Sequence, residues 1–390
     1  VALDHLRSAD LDGRRWPAAG CSIAREQVAT ASYRPAADVA DRLARFCPPG
    51  DSAWVALITQ ALSTGDAQDA ADVAERWTEF EPANATGHYY SGLALALLDP
   101  AKALNPLKTA QAISPSRLPM AADLIQTIEA SLPSDDHAYQ LAQVGQTLAR
   151  AGRWDLAALA FSQALSLEPN YVEAEAYLGL ALDHTGGDGE GQLIRASQAV
   201  PSASLPHVFL AQHWSLKGDY AQAAVELRTA RALSPDSPAI AAQLGAVLVS
   251  LGDIQSALAA YQQAVSLAPN SAQFQGLLAA FSLDHEVDVE GVGLPAARQA
   301  VVLDRRTATY LDQLGFSYYL KGNPEMAEHM LGLALHAAPM DPAVNYHLGL
   351  ARLAVNKPDL AVLSLRQAAD LDPGGMYAML ATRTLSRLQP

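Results

Sequence analysis

A short pattern returns along this chain of 390 residues at a spacing of about 34 residues. A period of that length signals stacked supersecondary units, none of which can bury its apolar face alone. Five segments carry the pattern most clearly: Leu-Gly or a near equivalent, then Gly or Asn, then two Ala, then Pro. Segment 138–171 has Val144, Gly145, Gly152, Ala157, Phe161, Ala164 and Pro169. Segment 204–237 has Leu210, Ala211, Gly218, Ala223, Leu227, Ala230 and Pro235. Segment 238–271 has Leu244, Gly245, Gly252, Ala257, Tyr261, Ala264 and Pro269. Segment 308–341 has Leu314, Gly315, Gly322, Ala327, Leu331, Ala334 and Pro339, and segment 342–375 has Leu348, Gly349, Asn356, Ala361, Leu365, Ala368 and Pro373.

Each unit reads as two helices. Residues 239–250 and 254–267 both place apolar side chains at the helical period. Between them, Gly252 suits the left-handed residue after a helix and Asp253 suits a cap of the next. Pro269 stops the second helix, since proline lacks an N–H and disfavours helix in the residue before it. Gly245, Ala257 and Ala264 fall where the two helices touch. The chain is half apolar, so disorder is not expected. Its aromatic content of 6% and its abundant Ala favour close helix packing. A net charge of −15 without a Lys/Arg-rich cluster excludes nucleic acid and anionic lipid surfaces as partners. No apolar run is long enough to span a membrane.

These residues resemble the tetratricopeptide repeat: a small residue after Leu, Gly at the inter-helix turn, paired Ala in the second helix and a closing Pro. Weaker copies stay in phase. They are 51–84 (Trp54, Leu57, Gly65, Ala70, Pro82), 85–117 (Gly92, Leu95, Ala103, Ala110, Pro115), 172–203 (Leu178, Gly179, Ala196, Pro201) and 272–307 (Leu278, Ala279, Ala300). The last has a longer turn at 284–294 and Arg305 in place of Pro; segment 17–50 (Ile23, Ala24, Ala36, Ala40, Pro48) is the most degenerate. The resemblance covers roughly residues 17–375. It implies an all-α, right-handed superhelical solenoid of about ten helix-turn-helix repeats, closed by a C-terminal capping helix at 376–388. Residues 118–137 break phase, with one amphipathic helix at 119–131 and a Leu132-Pro133-Ser134-Asp135-Asp136 turn. The expected organisation is therefore a degenerate N-terminal array at 1–132 with an extra helix, and a regular C-terminal array at 138–390.

Chemistry is not announced. The Gly-rich stretch 186–191 lacks the Lys-Ser/Thr of a phosphate loop and carries Asp188 and Glu190, so it reads as a turn. Asp183, Asp188 and Glu190, or Asp284, Glu286, Asp288 and Glu290, do not follow the calcium-loop spacing. The ten His form no metal pattern, no Gly-x-Ser-x-Gly elbow is present, and no His lies near either Cys to activate a thiolate. Catalysis, cofactor and metal are not expected of these residues.

In the repeat family the first helix of each unit lines a groove that binds segments of partner proteins. The resemblance maps this face onto Tyr139, Gln143, Gln146, Arg150, Tyr177, His184, Val208, Phe209, Gln212 and Gln243. It continues through Leu277, Leu283, Asp312, Gln313, Phe316, Tyr319, Tyr346, His347, Leu350 and Leu353. The Lys/Asn clamp of chaperone-binding members is absent, the matching positions being Ala142, Gln146, Tyr177 and Val208. The expected function is a non-catalytic scaffold or adaptor holding another polypeptide, with Phe316, Tyr319 and Tyr346 as anchors. Two alternatives stand beside it: an accessory part of a larger enzyme or membrane complex, for example in cell-envelope glycan synthesis, and a self-assembling structural subunit. Repeat alignment also sets Cys21 at the start of one helix and Cys47 at the end of the next, so a disulfide between them is one reading and two free buried thiols the other. A bond there would imply an oxidising compartment, and a first residue that is Val rather than Met fits a trimmed leader, so an extracytoplasmic location is the expectation over a cytoplasmic one.

Overall fold

The computed structural model describes residues 36–46, 50–115 and 118–388. The expected Cys21–Cys47 bridge and the first helix of segment 17–50 lie outside the described residues. Among the described residues there are 21 α-helices and no strand. None is long and apolar enough to cross a membrane. The chain divides after His213 into two compact units.

The first unit runs α1 (Ala36–Phe46), α2 (Asp51–Ser63), α3 (Ala67–Phe80), α4 (Ala85–Ala96), α5 (Pro100–Ile113), α6 (Pro119–Ser131), α7 (His137–Arg150), α8 (Trp154–Leu167), α9 (Val172–His184) and α10 (Glu190–Ala199). It ends within α11 (Ser204–Leu216). The second unit continues with α12 (Tyr220–Leu233), α13 (Pro238–Ser250), α14 (Ile254–Leu267), α15 (Ala272–Asp284), α16 (Leu294–Leu303), α17 (Ala308–Leu320), α18 (Pro324–Ala337), α19 (Pro342–Ala354), α20 (Pro358–Leu371) and α21 (Met376–Leu388). All five of the clearest segments start and turn where the pattern expects. Gly152, Gly218, Gly252 and Gly322 have φ of +75 to +78°, and Asn356 takes the same left-handed role at +56°. Asp219, Asp253 and Asn323 then cap the following helix through its backbone N–H groups.

The small residue after Leu is dictated by the helix it faces. A Cβ on Gly145 would lie 2.8 Å from the Phe161 ring, one on Gly315 2.6 Å from Leu331 and one on Gly349 2.7 Å from Leu365. Each is a socket on the first helix filled by a large side chain of the second. Between hairpins, first helices also touch: α15 with α17, α17 with α19 and α19 with α21. That row places side chains from successive repeats on one surface.

In the first unit, one core runs from Ala36 to Ala174 and contains Trp54, Trp77 and Phe161, all fully buried. Trp54 and Trp77 stack with centroids 6.1 Å apart. The extra helix α6 sits between two hairpins, packed on α5 and α7, and supplies Leu124 and Ile128 to that core. In the second unit the loop 285–293 departs from a plain turn. Glu286 and Asp288 have φ of 50° and 45°, and a π-helical turn, Val289–Gly293, follows. Asp288 accepts the Gly291 N–H at 3.0 Å, which holds that left-handed residue in place.

Candidate functional site

Each unit carries a candidate face on its first helices. In the first, α6 and α7 border a cleft of about 440 Å³ lined by Asp123, Gln126, Thr127, Tyr139, Gln143 and Arg150 among others. Three of the expected groove residues thus share one polar cleft. Thr127 and Thr147 meet through their hydroxyls at 2.8 Å, and Arg150 donates to Thr147 at 2.9 Å. Gln146 instead donates to Glu173 at 2.9 Å. Tyr177 stacks on Phe161 at 5.2 Å and meets the edge of Phe209 at 4.9 Å. Burial, then the Glu173 charge, pushes its phenol up. Phe209 is buried and Gln212 half-buried.

The Gly-rich stretch is a turn between α9 and α10, fastened from outside its own repeat. Asp183 accepts from the Gly189 N–H at 2.8 Å and bonds both its oxygens to His213 Nδ1 at 2.9 Å. His213 is 1% exposed. Its Nε2 stands 3.9 Å from Asp188 and 4.0 Å from Glu190. Asp183, Asp188 and His213 converge within 4.8 Å, the one set among the described residues whose donors suit a cation. With both its oxygens on His213 and one also on the turn backbone, Asp183 acts first as a clamp. Residue spacing along one repeat missed His213, which arrives from the next repeat.

In the second unit, α17, α19 and α21 bring together Phe316, Tyr319, Tyr346, His347 and Tyr377. Phe316 stacks on His347 at 4.0 Å and on Tyr319 at 5.9 Å, with interplanar angles of 14° and 10°. Tyr377 lies 5.9 Å from both Tyr346 and His347. His347 is fixed by Asp312, whose oxygens lie 2.9 and 3.1 Å from Nδ1. Burial pushes the Tyr377 phenol up to about 12, helped by the charges of Asp312, Asp284, Asp341 and Asp372. Desolvation likewise raises the Asp284 carboxyl, against the opposing pull of His285 and His347. Leu350 is half-buried on α19. Tyr377 was not expected on this face because the terminal helix reads as a cover for the last repeat; a lone aromatic in the first turn of 376–388 was the available signal.

Stacked helical hairpins, with glycine sockets and a row of first helices presenting side chains, define a helical-repeat interaction scaffold. The chain is a tetratricopeptide-repeat array: family models described as tetratricopeptide repeat match residues 145–206 and 216–281. No curated protein matches. Among solved structures, yeast Tom70 aligns at 13% identity over 97% of this chain and 96% of its own, with a TM-score of 0.46. The APC/C hetero-tetramer Cut9–Hcn1 aligns at 14% over 98% and 92%, TM-score 0.46. MamA from Desulfovibrio magneticus RS-1 aligns at 20% over 43% and 94%, TM-score 0.40. Likenesses of this degree carry no argument about function.

Proposed function

We propose that this protein is a scaffold that holds a segment of a partner polypeptide on the face built by its first helices, and that the second unit supplies the main binding energy. The supporting observation is the aromatic cluster Phe316, Tyr319, Tyr346 and Tyr377, drawn from two successive repeats and the terminal helix and left half-buried rather than sealed in a core. Rigid aromatic side chains that keep an open face are the usual anchors of protein interfaces. The polar cleft of Tyr139, Gln143 and Arg150 in the first unit is a secondary contact. It selects partners by hydrogen bonding rather than by buried area.

The test is a binding measurement on the full chain. Segments selected from a displayed peptide library are titrated against wild type and against Phe316→Ala/Tyr319→Ala, with circular dichroism as the check on folding. Loss of affinity in a folded variant supports the reading. Unchanged affinity moves the site elsewhere.

A further inference from the structure

The aromatic cluster of the second unit is not electrically neutral. Asp312 lies beneath it, bonded to His347. Asp284 ends α15, which packs against α17. Among the described residues no Lys or Arg nitrogen pairs with Asp284, and none pairs with Asp312. Asp341 and Asp372 are engaged with backbone N–H groups, of Ala343 and Val344 and of Tyr377 respectively. All four carboxylates act on the Tyr377 hydroxyl in the same sense. Three cationic side chains of the neighbouring elements are committed elsewhere. Lys321 reaches Glu290 at 2.7 Å, Lys357 reaches Glu328 at 2.7 Å, and Arg352 donates to Ser364 at 2.6 Å. Half-buried rings and the exposed carboxylate of Asp284 thus belong to first helices packed side by side, and neither Asp284 nor Asp312 has a Lys or Arg partner among the described residues.

We propose that this face takes one cationic side chain, lysine or arginine, from the bound segment, set against the rings of Phe316, Tyr346 and Tyr377, with Asp284 as its counter-charge and Asp312 holding His347 behind them. The inference rests on the reading of this face as a polypeptide-binding site and names what that site selects. A ring face attracts a cation through its quadrupole, most strongly where water is partly excluded. Carboxylates at the edge of such a site steer and select a basic partner more than they add raw affinity. His347, clamped by Asp312 and stacked on Phe316, keeps the rings in position.

A positional-scanning nonapeptide library, read by fluorescence anisotropy on the full chain, tests this. The expected result is selection of Lys or Arg at one position. Affinity for the best peptide should fall about tenfold or more in Asp284→Asn, a near-isosteric change at an exposed residue. It should stay unchanged in Asp370→Asn, which removes the same charge from the far side of α20, and should weaken with added NaCl. Selection of apolar or acidic residues, with full affinity in Asp284→Asn, would overturn the cationic assignment and leave polypeptide binding standing. Equal binding of every peptide to wild type and to Phe316→Ala would sink both. Self-association in light scattering that Phe316→Ala abolishes would put a second copy on this face and overturn the proposal as well.

Discussion

Two histidine–aspartate pairs, one in each unit, show how the same chemistry is put to different use. His213 and Asp183 are sealed, with side chains 1% and 5% exposed, and their bond fastens a turn that glycines would otherwise leave loose. His347 and Asp312 are 11% exposed each, and the imidazole is part of an aromatic surface, stacked at 4.0 Å on Phe316. The first pair holds structure together; the second holds a surface open in a chosen shape. The difference follows from what lies above each imidazole: a turn carrying Asp188 and Glu190 in one case, the rings of α17, α19 and α21 in the other.

The largest expected effect tests that division of labour. His213→Ala leaves Asp183 buried without its main partner and should cost about 3 kcal/mol of stability, read by chemical denaturation. His347→Ala should cost clearly less and should weaken peptide binding instead. Equal losses of stability would erase the distinction. Next, Phe316→Ala/Tyr319→Ala should weaken binding by about 2 kcal/mol or more, whereas Gln143→Ala in the first unit should weaken it little. A reversed order, measured by calorimetry, would move the main site to the first unit.

The remaining predictions concern what the two units share. Gly152→Ala and Gly322→Ala put a side chain on a left-handed residue in each unit, and each should cost about 1 kcal/mol. A neutral result in either would show that its turn can relax. Tyr171 in the first unit and Tyr377 in the second both have phenols raised to about 12, above the ordinary value of 10. Each therefore contributes stability that is complete below pH 10 and lost as pH rises toward 12. Ultraviolet titration of Tyr171→Phe and Tyr377→Phe should each remove a late-ionising phenol. Loss of only an ordinary one would show that the site is more open than described. Smallest of all, limited proteolysis should cut first within Leu132–Asp136, where Pro133, Asp135 and Asp136 are exposed. A first cut nearer the boundary after His213 would favour that division over the one suggested at 132–138.

Most of the architecture was readable because its determinants are local. Gly152, Asp253 and Pro269 act within a turn, and the socket at Gly245 is set by Tyr261 of the same hairpin. The sites were harder to read because their members meet across repeats. Asp312 and His347 are 35 residues apart, and Asp183 and His213 are 30 apart. Neither spacing resembles a ligand motif within one helix. The left-handed Glu286 and Asp288 were also hidden, since neither residue type announces a positive φ as Gly does. Phe316, Tyr319 and Tyr346 were placed on one face by the repeat resemblance; Tyr377 required knowing that α21 lies against α19.

The extra helix of the first unit has a consequence for how the chain finds its fold. In a strictly periodic stack every hairpin offers the next the same socket and plug, so a slip by one whole repeat would satisfy the same contacts. Among the described residues helix α6 has no counterpart in its unit, and it touches α4 while α5 touches α7. Any slipped arrangement must lay a single helix where a hairpin belongs and lose the seats of Leu124 and Ile128. The irregular element therefore works as a registration mark, giving an otherwise interchangeable set of parts a fixed origin from which to count.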